Sequence, residues 1–285
     1  MIIKYENSLG DVLPLTGGGV FADIAELFSW KLTEQEINGR ITAFERKTSS
    51  RKITVLVYGE RNARQLRDQL YDVAAVDTEA RKYGKIWAGE WYLKCYITAA
   101  EISEAWEPTG AAVFSLTVTS DKPVWRRDRR YTITLDEDGG DGGLNYPHDY
   151  PYDFASSGAG ARVNNTSAVP SDAIIRIYGA ASAPAVTIGN NTYEVTETLE
   201  RGDYLEINTE AKTVKVVRRL GFVENAFDKI KGEYMQGSGS YIFEKIPSGM
   251  SSISWDGSFV FDVETHEERD VIRWSDADNL YRRNR

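Results

Sequence analysis

Residues 203–218 read DYLEINTEAKTVKVVR, and this stretch decides the class of fold. Leu205 and Ile207 alternate with polar residues, and Val214 and Val216 do the same after a short polar run. A period of two marks strands with one buried face, and the polar run between them marks a turn. The pattern spreads outward. AIIRIY at 173–178, the runs 184–188, 192–196, 240–245 and 250–255, and SFVFDV at 258–263 repeat it. Gly189-Asn190, Arg201-Gly202, Pro247-Ser248-Gly249 and Asp256-Gly257 punctuate them. Short alternating strands with turns every 8–12 residues or so predict an antiparallel β-sandwich.

The N-terminal half is also mainly β. RKITVLVY (51–58), GEWYLKCYIT (89–98), AAVFSLTVT (111–119) and RYTITL (130–135) read as strands, and Asn38-Gly39 as a hairpin turn. Trp91, Leu93, Cys95 and Ile97 share one strand face, which makes Cys95 a small core residue. One helix stands out at 60–75, where Ala63, Leu66, Leu70 and Val73 form an apolar stripe. A shorter helix is expected at 22–28. Between the halves, DEDGGDGG cannot make a core, and NYPHDYPYDFASSGAG alternates aromatics with proline and aspartate. Pro147 and Pro151 exclude a helix or a central strand, so an extended arm is expected. The domains then read 1–140, an arm at 141–160, a sandwich at 161–275 and a flexible tail at 276–285.

Composition narrows the function classes. A chain of 285 residues buries a core without staples, and one cysteine excludes a disulfide scaffold and thiolate-rich zinc sites. Two histidines, His148 and His266, argue against imidazole-rich metal centres. The net charge of −9 is spread over both halves, so no large basic domain waits for nucleic acid. WRRDRR at 125–130 is expected to be a solvated or interface cluster. No apolar run is long enough for a membrane span, and MIIKYENSLGDVLP lacks the apolar core of a signal peptide. Synthesis in the cytoplasm and release by lysis are expected.

Candidate chemistry is thin. The glycines of PLTGGGVFADIAELF lack the βαβ unit of a dinucleotide site. Asp136, Asp138 and Asp141 start like a calcium loop, but Asp141 and Pro147 stand where glycine and glutamate belong. There is no G-x-S-x-G elbow. Tyr241, Trp255 and Trp274 are candidates for stacking on a saccharide, the alternative reading of the second half. No catalytic residue, cofactor or metal is assigned.

The order of features resembles the distal tail proteins of long, flexible-tailed (siphovirus-type) bacteriophages and prophages. In the N-terminal half the resemblance rests on Asn38-Gly39-Arg40 with Phe44, RKITVLVYG (51–59), Leu70-Tyr71-Asp72, GKIWAGEWYLKCYITAAE (84–101) and Pro123-Val124-Trp125. YPHDYPYDF (146–154), AIIRIYG (173–179), LEINTEAKTVKVV (205–217), IFEKIPSG (242–249) and EERDVIRW (267–274) continue it. It implies a split-barrel-like ring domain with one helix and a projecting hairpin, followed by a galectin-like sandwich. It further implies a homo-oligomer, a hexameric ring at the virion tail tip. The ring would join tail-tube and tape-measure proteins to a tail-associated lysin or fibre and let DNA pass. On this resemblance 84–101 is the expected projecting hairpin. Trp87, Trp91, Tyr92, Tyr96, Tyr146, Tyr150, Tyr152 and Phe154 are the expected assembly residues.

Overall fold

A computed structural model describes residues 2–58, 63–106, 111–134, 153–155 and 161–272, with backbone alone at 63, 64, 106 and 153–155. Among the described residues the chain is mainly β with one α-helix. It divides into two compact units, residues 1–127 with the returning stretch from 268, and residues 128–267.

The first unit contains β1 (Ile3–Glu6), β2 (Val12–Pro14), β3 (Val20–Asp23), β4 (Thr33–Ile37), β5 (Arg40–Glu45) and β6 (Ser49–Val57). After α1 (Ala63–Ala80) come β7 (Gly84–Ala88), β8 (Trp91–Trp106), β9 (Ala111–Ser120) and β10 (Trp125–Ile133), which runs on into the second unit. One antiparallel set is β2-β1-β7-β8 and another is β3-β6-β9-β8. β8 serves both, pairing Trp91–Cys95 with β7 and Tyr96–Trp106 with β9, with register shifts after Ile97 and Ile102. Irregularities of this kind bend a strand and let it leave one sheet for the next.

Alternation explains the core. Trp91, Leu93, Cys95 and Ile97 are all buried, as the period of two requires. Burial pushes the Cys95 thiol up to about 12, so it is neutral at physiological pH. A disulfide-exchange reagent is therefore expected to find no thiol in the folded protein and one after denaturation. Rapid labelling of the native chain would contradict this. The helix extends beyond its expected end at 75, and Leu66, Leu70 and Ala74 form its buried stripe. Near its C-terminus, fully buried Asp77 accepts the Tyr5 hydroxyl and, at 2.7 Å, the Ser8 N–H. Gly84 sits against this pair, where any Cβ would overlap the Tyr5 hydroxyl and the Asp77 carboxylate.

Two sequence expectations need correction. The short helix expected over 22–28 forms only in part. Ala22 belongs to β3, and only Ala25–Phe28 makes a 3-10 turn, because Val20–Asp23 pairs with β6. The hairpin at 84–101 does not project either, since β7 lies between β1 and β8 in the sheet and half of each strand faces the core. An exposed hairpin is β4–β5, whose strands pair, among the described residues, with each other alone and are exposed at nearly every position.

The second unit holds β11 (Asp153–Ala155), β12 (Arg162–Asn165), β13 (Ala173–Tyr178), β14 (Ala181–Ser182), β15 (Ala185–Ile188), β16 (Asn191–Val195) and β17 (Thr198–Leu199). β18 (Tyr204–Asn208), β19 (Thr213–Val217), β20 (Val223–Asn225), β21 (Ile230–Lys231), β22 (Gly249–Ser254) and β23 (Phe261–Arg269) follow, and β23 ends in the first unit. One sheet runs β23-β13-β18-β19-β20 and the other β12-β22-β15-β16-β21. Ile175, Ile177, Leu205, Ile207, Val214, Val216 and Phe261 from the first meet Val163, Val186, Tyr193 and Val195 from the second, all essentially inaccessible. Each such side chain contributes about 1.5–3 kcal/mol by leaving water. The pairing Tyr204↔Val217 through Asn208↔Thr213 is the register that 203–218 predicts. Of the arm expected at 141–160, only 153–155 is described, as a short strand parallel to β10.

Candidate functional site

The residues expected to mediate assembly separate into distinct environments. Trp91 and Tyr92 are each 2% exposed, so neither side chain is available to a second molecule. Trp91 faces the core and carries the Arg127 and Arg269 guanidiniums on its ring at 4.7 and 5.3 Å. Trp87 is half-buried on the opposite face, 4.9 Å from Tyr92, with Lys4 and Lys85 over its ring at 5.3 and 5.5 Å. Tyr96, also half-buried, packs at a tilt against Tyr83, ring centroids 4.9 Å apart. Tyr146, Tyr150 and Tyr152 lie outside the described residues, and of Phe154 only the backbone, opposite Thr132, is described.

Two of the saccharide candidates, Trp255 and Tyr241, pack in part against the sandwich core. Trp255 donates its indole N–H to the Phe259 carbonyl at 3.1 Å and packs edge-on against Phe261 at 5.4 Å. Tyr241 sits edge-on to Phe243 at 5.8 Å, and both pack against the sandwich core. The Trp255 and Tyr241 rings are only partly exposed, which limits the face either could offer to a sugar. Trp274 lies outside the described residues, as do His148 and the Asp136–Asp138–Asp141 series.

The arginines of WRRDRR are paired with carboxylates. In the first unit, nearly inaccessible Arg126 donates to Glu268 at 2.6 Å, and Arg127 lies 3.4 Å from Glu90. In the second, Arg129 meets fully buried Glu267 at 3.1 Å and Arg130 meets Glu264 at 3.0 Å. Asp128, Glu264 and His266 bring ligand atoms within 4.8 Å of one another. However, Glu264 already receives Arg130 and Arg176, each at 3.0 Å, and two guanidiniums beside the carboxylate do not suit a metal cation.

Glu268 adds a pH dependence. Burial opposes its ionisation, but hydrogen bonds from Lys122 and Arg126 outweigh burial and hold its carboxyl below the ordinary value. A depressed folded-state pKa stabilises above the unfolded value, about 4.3 for glutamate, and that contribution is lost as pH falls through the folded value. The first unit is therefore expected to lose stability below about pH 4.3, and Glu268→Gln to flatten the slope there. Denaturant melts at descending pH check this, and parallel slopes for the two proteins would count against it.

The feature that sequence reading did not place among the assembly residues is β4–β5. Asn38 and Gly39 take φ +53° and +71°, the left-handed pair that a two-residue hairpin turn requires. Register slips between Gln35 and Glu36, with Gln35 opposite Ala43 and Glu36 opposite Ile41. Thr42 is thereby bulged out, its hydroxyl donating to the Gln35 carbonyl at 3.0 Å. The extra residue brings Ile41 and Phe44, three apart, onto one face beside Glu34 and Glu36. Ile41 and Phe44 are 51% and 60% exposed. The bulge explains why simple alternation did not reveal this face.

No model of a protein family matches the chain, and no curated protein does. Solved structures do match. The Dit (gp 19.1) protein of phage SPP1, described as a paradigm of the hub adsorption apparatus in phages that infect Gram-positive hosts, is similar over 94% of this chain and 100% of its own. The TM-score is 0.55 at 11% identity. A chain of the phage P2 baseplate, in its activated conformation with calcium, gives TM-score 0.57 at 14% identity over 95% of this chain and 100% of that one. The strontium form gives the same score and identity over 95% and 99%. Along nearly its whole length, then, the chain shares the fold of the SPP1 Dit protein and of this chain of the P2 baseplate.

Proposed function

We propose that this protein is a structural component of a phage tail tip, a distal tail protein whose copies close into a ring. The observation that carries the reading is the chain-long likeness to the SPP1 and P2 structures, which includes both units rather than one. In this role the first unit builds the ring and the sandwich hangs outside it. The ring, six-membered by the resemblance of its sequence, joins the tail tube and tape-measure protein to a lysin or fibre. It is assembled in the bacterial host cytoplasm and carried in the virion.

The role asks for no catalysis. A net charge of −9 disfavours adhesion to DNA passing through the pore. The β4–β5 hairpin, whose apolar side chains are exposed among the described residues, is the natural joint between copies. A surface that meets a different surface on the next copy gives a closed ring when the rotation closes.

Light scattering and negative-stain imaging of the full-length protein test the reading. Particles several times the 32.0 kDa chain mass, with ring-shaped views, are expected. A stable monomer at tens of micromolar, with no rings alone or with tail-tube and fibre partners, would overturn it.

A further inference from the structure

We infer that the hairpin face carrying Glu34, Glu36, Ile41 and Phe44 seats on the lysine-rich face of the β2-β1-β7-β8 sheet in a second copy of this chain. The inference rests on the ring reading above. Both surfaces belong to the first unit, so the sandwich stays outside the joint.

Strand register builds the acceptor. Lys4 lies opposite Trp87, Glu6 opposite Lys85, and Lys85 opposite Lys94, so these side chains share the sheet face turned away from the core. Lys4 and Lys85 hold their ammonium groups over the Trp87 ring at 5.3 and 5.5 Å, and Lys85 also covers Tyr92 at 4.8 Å. Three lysines thus stand on this face against one carboxylate, Glu6, which lies 3.6 Å from Lys4. Next to it, Tyr92 lies opposite Arg126, which shares Glu268 with Lys122. Beyond Lys94, Tyr96 packs on Tyr83, whose hydroxyl donates to Asp121.

Two features of the face favour an incoming carboxylate. Like charges at paired positions repel, so the cross-strand pair Lys85 and Lys94 gains from an anion set between them. The Trp87 indole N–H is covered yet has no acceptor among the described residues, and an incoming oxygen can supply one. Ile2, two residues before Lys4, and Val12, opposite Glu6, add exposed apolar surface at the β1–β2 edge.

The hairpin face matches this in kind, with two carboxylates beside two apolar side chains, while its cation Arg40 lies opposite Ile37 on the other face. A six-residue strand is about 20 Å long, enough to cross β1, β7 and β8 at spacings of about 4.8 Å. Within one chain the two surfaces do not cover each other, since Ile2, Val12, Ile41 and Phe44 are all exposed. The fit is therefore made between copies.

Charge separates this acceptor from the large concavities. The groove of about 600 Å³ between α1 and β8 has Asp68, Asp72 and Glu79 on its rim against Arg67 alone. The hollow of about 740 Å³ beside the β19–β20 turn sets Glu200, Asp203 and Glu224 against Arg201, Arg218 and Arg219, and it belongs to the sandwich. Carboxylates are repelled by the first and gain little at the second, whereas the lysine face attracts them.

The test is a charge swap in the full-length chain, read as molar mass against concentration by light scattering, with circular dichroism confirming the fold. Lys4→Glu with Lys85→Glu is expected to weaken self-association by about tenfold or more. Glu34→Lys with Glu36→Lys, confined to the exposed hairpin, is expected to do the same, and all four changes in one chain to restore association. Carbodiimide coupling of the unchanged protein, mixed from isotopically light and heavy copies, reads the contact directly. It should yield amide-linked peptides that join Glu34 or Glu36 of one copy to Lys4, Lys85 or Lys94 of another. If both paired variants assemble like wild type, if the four changes together repair nothing, or if links between copies bypass these residues, the contact is wrong while the ring reading stands. If wild type itself stays monomeric, the ring reading falls first.

Discussion

Trp125→Ala is expected to cost the first unit about 3–5 kcal/mol, the range for removing a large aromatic from a packed core. Trp125 is fully buried, its ring stacks on Phe28 at 5.7 Å, and its indole N–H donates to the Leu27 carbonyl at 3.2 Å. The same carbonyl takes the Arg51 guanidinium at 2.7 Å, so one tryptophan and one arginine together clasp the 3-10 turn at Ala25–Phe28. Truncation removes the ring volume and one of the two donors. Trp125→Phe keeps most of the volume and loses only the donor, so a smaller loss of about 1 kcal/mol is expected. Because the second unit has a separate core, calorimetry should show the first unit's transition falling by roughly 10 °C or more, with the sandwich transition nearly unmoved. Equal shifts of both transitions would show that the two cores do not melt independently.

Strands were legible in the sequence wherever one face is buried and the other wet. In 203–218, in AIIRIY and in AAVFSLTVT, the structure buries every other residue, as strands with one wet face require. The same logic placed Cys95 in the core and α1 on the first unit through Leu66 and Leu70. It held only in part at Ala22–Phe28, where a helix-like spacing was overridden by the pairing of Val20–Asp23 with β6. Local periodicity cannot see a partner strand more than thirty residues away.

The candidate site was less legible, for two physical reasons. The resemblance drew attention to 84–101, yet large aromatics in strands are mostly core, and Trp91 and Tyr92 proved buried. The hairpin that does stand exposed hides its apolar face behind a bulge at Thr42, which breaks the period of two. Its turn, Asn38-Gly39, was visible, but what the turn displays depends on one unpaired residue. The pairing of WRRDRR with acids well over a hundred residues away, apart from Arg127 with Glu90, was likewise beyond any local pattern.

Replacing Ile41 and Phe44 together by aspartate is expected to abolish assembly and leave both units folded. Both side chains are exposed and neither belongs to a core cluster, so the substitution removes no buried contact. Near Glu34 and Glu36 it turns an amphipathic face into four adjacent carboxylates, which exchanges apolar gain for desolvation cost in any interface. An aromatic anchor at an interface is commonly worth about 2 kcal/mol or more, about 30-fold in each contact. In a closed ring every joint is the same joint, so the loss recurs at each one and the ring population falls far more steeply than a single affinity would. A two-stranded ribbon is marginally stable by itself, so the hairpin should also become more open to proteolysis once no neighbour covers it. Sedimentation velocity should show a monomer with wild-type circular dichroism and unchanged melting of both cores. Rings that persist in this variant would mean that the hairpin is not the joint, whatever surface it was thought to meet.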